Sequence, residues 1–276
     1  MTTSLLVPSS LVREAESKRA ATLKLGYVAR AAAVFRADRL VVFDDPDGQR
    51  RWDGGFVETV LRYAATPPYL RKEVFGTRDE LEWAGVLPPL RVSSWTGSES
   101  SDSGSKRDGI VTQVGADGRV RVNCGLQHPI SLQVPQEMDL AEGERVTVSI
   151  ASRRPVRAKL VDESPPGFSV ERADIEAYLA GADGRRVATS RAGTPLTVSR
   201  LGALADRPDD DLAVAFGAPE RGLPAILGVD VDAVAAGDGP PGPFDTWLNT
   251  VPDQGSEVVR TEEAMFATLA CLSLTE

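Results

Sequence analysis

Two stretches hold residue types from which a ligand site can be built. The apolar run LAVAF (residues 212–216) passes straight into GAPERGLPAIL, so a strand signal is followed by a glycine turn and a helical pattern. That order aims backbone N–H groups and a helix N-terminus at a ligand on the C-terminal edge of a parallel sheet. Residues 217–222 match the first half of a phosphate-binding loop, but Leu223 and Pro224 stand where Lys and Ser/Thr are required. The pattern therefore argues against a nucleoside-triphosphatase. No G-x-G-x-x-G follows either early strand, so a dinucleotide-binding turn is missing as well. The second stretch, NTVPDQGSEVVRTEEA (residues 249–264), reads as an extended irregular loop whose donors and acceptors suit an adenine edge. On pattern alone, a plain tight turn and a plain long connection remain open for the two stretches.

Other chemistries are thinly supplied. Cys124 and Cys271 are the two cysteines and His128 the single histidine, which excludes a disulfide framework and a Cys/His metal site. A histidine-dependent nucleophile would have to use His128, and its QHPI context reads as a turn.

The elements that position these stretches follow from periodicity. An apolar run over residues 4–7, a helical pattern over about 12–36 and the run RLVVF (39–43) give the strand–helix–strand opening of a parallel α/β sheet. A second helix is expected over about 55–65, stopped by Pro67 and Pro68. Residues 93–109 (SSWTGSESSDSGSKRDG) read as a mobile linker or long loop. Five short alternating runs follow, GIVTQVG, RVRVNCG, PISLQV, RVTVSI and VRAKLV, as in a small OB-like β-barrel. In the second of these, Val120, Val122 and Cys124 form an apolar face, with Arg119, Arg121 and Asn123 opposite. That polar face is either a solvated exterior or a nucleic-acid surface. The α/β pattern returns with a short strand over 186–189, a helix over 198–205, the strand LAVAF and a closing helix over 261–274 capped by Thr261. The expected organisation is a discontinuous α/β domain (1–90 and 165–276) interrupted by a barrel insertion (91–164).

Charge adds little to a nucleic-acid reading. The net charge is −9, and residues 165–276 carry 18 acidic against 8 basic residues. An average RNA binder is more basic, whereas an acidic surface fits a salty cytoplasm, in which phosphate contacts are weakened anyway. No apolar run approaches membrane-spanning length, and acids and bases occupy the N-terminus where a signal peptide needs an apolar core, so a cytoplasmic protein is expected.

The ordered set VATSR (187–191), GAPERGL and NTVPDQGSEVVRTEEA, with GYVARAAAVFRADRLVVF and TPPYLRKEVF upstream, resembles the archaeal and eukaryotic branch of SPOUT (α/β-knot) RNA methyltransferases with an OB-like insertion. The resemblance implies an α/β domain whose C-terminal part forms a trefoil knot, an arrangement that topology rules treat as exceptional. It also implies a homodimer, S-adenosylmethionine as cofactor and RNA, either rRNA or tRNA, as substrate. By the same likeness, the cofactor loops hold Thr189 and Ser190, then Gly217, Pro219 and Gly222, and finally Asn249, Thr250, Val251, Pro252, Gln254, Gly255 and Val259. Gly217 would let backbone approach the cofactor. Candidate catalytic groups are Arg260 or Arg191, stabilising a developing anion, and Glu220, orienting the target or accepting its proton. The alternative for these three is an ion pair between loops. Arg71 and Lys72, with Arg119 and Arg121, are candidates for RNA contact. Two other readings stay open: a non-catalytic RNA-binding or ribosome-assembly protein, and a small-molecule α/β enzyme whose barrel is a dimer spacer.

Overall fold

The computed structural model describes residues 2–92, 105–153, 155–205, 211–236 and 241–274. The chain opens with β1 (Thr3–Pro8), α1 (Lys18–Val34), β2 (Arg39–Phe43), α2 (Gly54–Ala65) and the short α3 (Arg71–Phe75). Five strands follow: β3 (Ser105–Val114), β4 (Arg119–Asn123), β5 (Ile130–Gln133), β6 (Arg145–Arg153) and β7 (Val156–Val161). The last third holds β8 (Ser169–Arg172), α4 (Ile175–Ala180), β9 (Arg185–Pro195), α5 (Val198–Ala205) and β10 (Leu212–Ala215). It ends with α6 (Leu223–Leu227), α7 (Val231–Ala236), β11 (Thr246–Asn249) and α8 (Thr261–Leu272). Two compact units result, one of Met1–Arg62, Glu80–Pro89 and Phe168–Glu276, the other of Tyr63–Asp79 and Leu90–Gly167.

The first unit is built on a six-stranded sheet in the order β11-β9-β10-β1-β2-β8, with parallel pairing throughout. Leu5, Leu6 and Val7 of β1 and all four residues of β10 are buried, the continuous apolar signature of parallel strands covered on both faces. Leu6, Val41, Phe43, Leu179, Leu223 and Trp247 belong to one core cluster. Each such side chain contributes roughly 1.5–3 kcal/mol relative to an exposed position.

Several expected boundaries move, for identifiable reasons. Helix α1 starts at Lys18, not near Val12, because Ser17 accepts the Ala20 N–H as N-cap (3.2 Å), while residues 9–14 are taken up by turns. Helix α8 begins at Thr261 with Arg260 as its cap residue. The Thr261 hydroxyl donates instead to the Gly217 carbonyl (2.9 Å), and Glu263 takes up the Arg260 N–H (2.9 Å). Strand β9 runs on to Pro195, because its polar second half pairs with β11.

The second unit contains an antiparallel sheet in the order β5-β4-β3-β6-β7. Its end strands β5 and β7 meet, curling the sheet into a nearly closed barrel. Val111, Val120, Val122, Cys124, Val148 and Leu160 fill it, so the apolar face expected of β4 does point inward. Residues 93–104 of the expected linker lie outside the described residues, but 105–109 are strand rather than loop. Their polarity is absorbed by specific partners. Asp108 is fully buried on Arg145, and Arg107 donates to the carbonyls of Cys124 (3.1 Å) and Gly125 (3.4 Å). His128 is exposed in the bend between β4 and β5, as its context suggested.

Candidate active site

A cavity of about 440 Å³ lies at the C-terminal ends of β9, β10 and β11. Three segments far apart in sequence wall it. Strand β9 supplies Thr189, Ser190 and Arg191. The loop after β10 supplies Gly217, Glu220 and Gly222, and the stretch around and after the end of β11 supplies Asn249, Thr250, Val251, Gln254 and Val259. Pro219, Pro252, Gly255 and Arg260, also expected at the cofactor or the target, are not part of the wall. Pro252 and Gly255 face solvent, and the Arg260 guanidinium is turned onto Glu263, 2.9 Å away. Pro219 is buried in the turn, its carbonyl 3.5 Å from the Arg13 guanidinium.

Side-chain bonds hold the three segments in register. The Thr189 hydroxyl donates to the last carbonyl of β10, at Ala215 (2.9 Å). Asn249 donates to the Arg191 carbonyl (3.0 Å) and accepts the Val251 N–H (3.1 Å), so one amide ties the end of β11 to the middle of β9. Thr250 and Thr268 share a hydroxyl bond at 2.8 Å. Gln254 donates to the Ser256 carbonyl, which folds the third loop on itself. The role expected of Gly217, close approach to a cofactor, is complemented by a constraint inside the protein: a Cβ there would lie 2.6 Å from the Leu223 nitrogen.

Charge around the cavity comes from Arg191, Glu220 and Glu257. Glu257 was not singled out from sequence, although it stands inside the loop motif. Glu220 holds φ at 60°, a left-handed conformation costing an L residue about 1–2 kcal/mol. Its carboxylate is half-exposed, 3.7 Å from Arg50. Beside the wall, Glu262 is buried and its carboxyl is pushed up, chiefly by burial, against the pull of Lys24 at 3.6 Å. Lys24 is bound more closely to Glu14. A folded pKa above the unfolded value makes Glu262 stabilising below the unfolded carboxyl range, with that contribution lost as pH rises through the folded pKa. Glu262→Gln should therefore improve relative to the parent as pH goes from about 4 to 7. Thermal melts in which its deficit instead grows toward neutral pH would mean that the ion pair outweighs burial.

The four residues singled out for RNA lie in the second unit. Arg71 is committed elsewhere: its guanidinium donates to the carbonyls of Thr66 (2.9 Å) and Ala64 (3.2 Å) and lies 4.6 Å from the Tyr63 ring centre. Burial lowers its pKa. Arg119 lies along β5, donating to the hydroxyl and carbonyl of Ser131. Lys72 and Arg121 are exposed. Among the described residues no helix is long and apolar enough to cross a membrane, and no group of His, Cys, Asp and Glu is arranged to hold a metal.

Comparison with known proteins places this geometry. Residues 2–272 match the family described as "Putative RNA methyltransferase". An uncharacterized protein of Halobacterium salinarum is 69% identical over the whole of both chains. One of Haloarcula marismortui is 68% identical, also over both whole chains. The 28S rRNA (uridine-N(3))-methyltransferase of Homo sapiens is 30% identical over 98% of this chain and 77% of its own length. With the match running through all three cavity segments and both flanking ends, the chain belongs to this RNA methyltransferase family.

Proposed function

We propose that this protein moves a methyl group from S-adenosylmethionine to N3 of a uridine in ribosomal RNA, using the cavity at the ends of β9, β10 and β11. The observation that carries the reading is the meeting of three separate chain segments, part of β9 and the stretches after β10 and β11, in one cavity. Its volume lies in the range of sites for ligands of cofactor size. Leu223, Pro224, Val251 and Val259 offer apolar wall, and the Glu257 carboxylate suits a cationic ligand. The uridine and its N3 atom come from the relative's name.

Bound there, the cofactor supplies a methyl group activated by a sulfonium. The chain has to align the RNA base with that group and remove one proton. Glu220 is the proton acceptor at N3–H, and Arg191 stabilises the anion that the imide becomes. In the transfer the methyl group would take the place of the N3 proton, which the Glu220 carboxylate would keep. Gly217 and Gly222, with the main chain of residues 249–251, hold the cofactor.

We further propose the SPOUT arrangement, with a knotted C-terminal part, a homodimer, a cytoplasmic location, and residues 91–164 as an RNA-binding OB-like insertion in a catalytic domain of 1–90 and 165–276. Support for the knot is local: a Cβ on Gly193 would meet the Leu248 backbone at 2.7 Å, and the Leu196 N–H donates to the Asn249 carbonyl (2.9 Å). The chain thus packs closely along β11.

Two measurements test the activity. Titration with S-adenosylmethionine should give saturable heat, and nucleoside mass spectrometry on rRNA from a deletion strain should show one 3-methyluridine lost. Heat without any lost methyl mark would leave a non-catalytic RNA-binding protein; no heat at millimolar cofactor would end the methyltransferase reading.

A further inference from the structure

Behind the turn that carries Glu220 lies a buried polar cluster whose own residues are not part of the cavity wall. Asp45, just after β2, is 2% exposed. Its carboxylate accepts the Ser10 hydroxyl (2.5 Å) and, through both oxygens, Nε of Arg221 (3.1 Å each). Ser9 accepts the Asp45 N–H (2.9 Å) and a Gln49 amide hydrogen (2.9 Å). The cluster is shaped for that carboxylate: a Cβ on Gly48 would stand 1.9 Å from Asp45 Oδ2 and 2.8 Å from the Ser10 Cβ. A full charge placed this deep is costly unless paired and hydrogen-bonded, and here both conditions are met.

The turn held by the cluster is closed by its own backbone and fixed from outside by side chains. The backbones of Ala218 and Arg221 bond each other in both directions, at 3.0 and 3.2 Å, which closes the turn around Pro219 and Glu220. Each of the last three turn residues then meets one side chain from the loops after β1 and β2. Arg13 reaches the Pro219 carbonyl (3.5 Å), Arg50 faces Glu220 (3.7 Å), and Asp45 takes Arg221. The Arg50 pair is exposed and the Arg13 contact is long, so Asp45 is the firm anchor. Glu220 stays at φ 60° only while its surroundings enforce it.

We propose that Asp45, acting through Arg221, is a positioning residue that sets the Glu220 carboxylate toward the target nucleotide without contributing to cofactor binding. This rests on the methyltransferase reading above for its catalytic consequence, but not for its structural one. The near half of the same loop has a separate anchor, Thr261 on the Gly217 carbonyl, so the two halves are held independently.

Asp45→Asn and Arg221→Lys test it in the full chain, the first removing the charge and the second the Nε donor. Hydrogen exchange should show the Ala218 and Arg221 amides losing protection at least tenfold in both, with α8 amides unchanged. Methyl transfer should fall tenfold or more in kcat, while the dissociation constant for S-adenosylmethionine stays within about threefold. Should Asp45→Asn fail to fold, Arg221→Lys alone carries the comparison. Unchanged protection at 218 and 221 overturns the proposal whatever the enzymology shows. Parallel losses in kcat and cofactor affinity overturn it as well, because they describe general damage. If the parent protein itself neither binds cofactor nor methylates RNA, the functional reading fails, and the exchange experiment still decides whether Asp45 holds the turn.

Discussion

A Gly217→Val chain should bind S-adenosylmethionine at least 100-fold more weakly than its parent, a loss of about 2.7 kcal/mol. The reason is steric and lies within the protein. The new Cβ would stand 2.6 Å from the Leu223 nitrogen and 3.0 Å from the Gly222 Cα and carbonyl carbon. All three are backbone atoms at the start of α6, so no side chain can swing aside, and the loop must open. Overpacking of this kind costs about 1–3 kcal/mol of stability. Calorimetry beside a thermal melt separates the two losses. Undiminished binding would remove residues 217–222 from the cofactor site.

Glu220→Gln should lower kcat by about 10²- to 10⁴-fold, the usual worth of a general base. Cofactor affinity should move by no more than a few-fold, since the amide keeps the size of the side chain. Rising pH should recover part of the rate, as the uridine imide then ionises unaided. Glu220→Gly offers the opposite pairing of effects. It relieves the left-handed strain, worth about 1 kcal/mol, at the expense of an exposed ion pair of small value, so the melting temperature should rise while turnover falls. A glycine variant at full activity would release Glu220 from any role at the target.

The contrast between Glu220 and Asp45 marks how far sequence could reach. Glu220 sits in a continuous motif between a strand and a helix, so its neighbourhood could be read locally. Asp45 meets Arg221 across 176 residues, a proximity that exists only once β1 separates β2 from β10 in the sheet. The same distinction runs through the fold. Runs such as LAVAF and RLVVF announce buried parallel strands, and VxVxC announces the barrel face, because burial imposes one residue type at each position. The second half of β9, Ser190 to Pro195, holds no large apolar residue and carries no such signal. It is strand because Thr194 and Pro195 pair with Leu248 and Asn249. Strand β8 is missed for a related reason: Val170 is its single buried residue, and its pairing with β2 is what makes it a strand. Arg71 shows the limit for charges, since a basic residue after a proline stop reads as exposed, yet it closes carbonyls at the end of α2.

The place of β1 inside its sheet has a consequence for biosynthesis. It pairs on one side with β10, whose neighbouring Asp211 also binds the Thr2 amide from 209 residues further along the chain. At roughly 5–20 residues per second, that partner arrives some 10–40 s later. During that interval the nascent β1–β2 pair carries an uncovered apolar edge, a template for wrong pairing that invites chaperone capture. The strands β3 to β7, most of which pair with a neighbour in sequence, have no comparable wait.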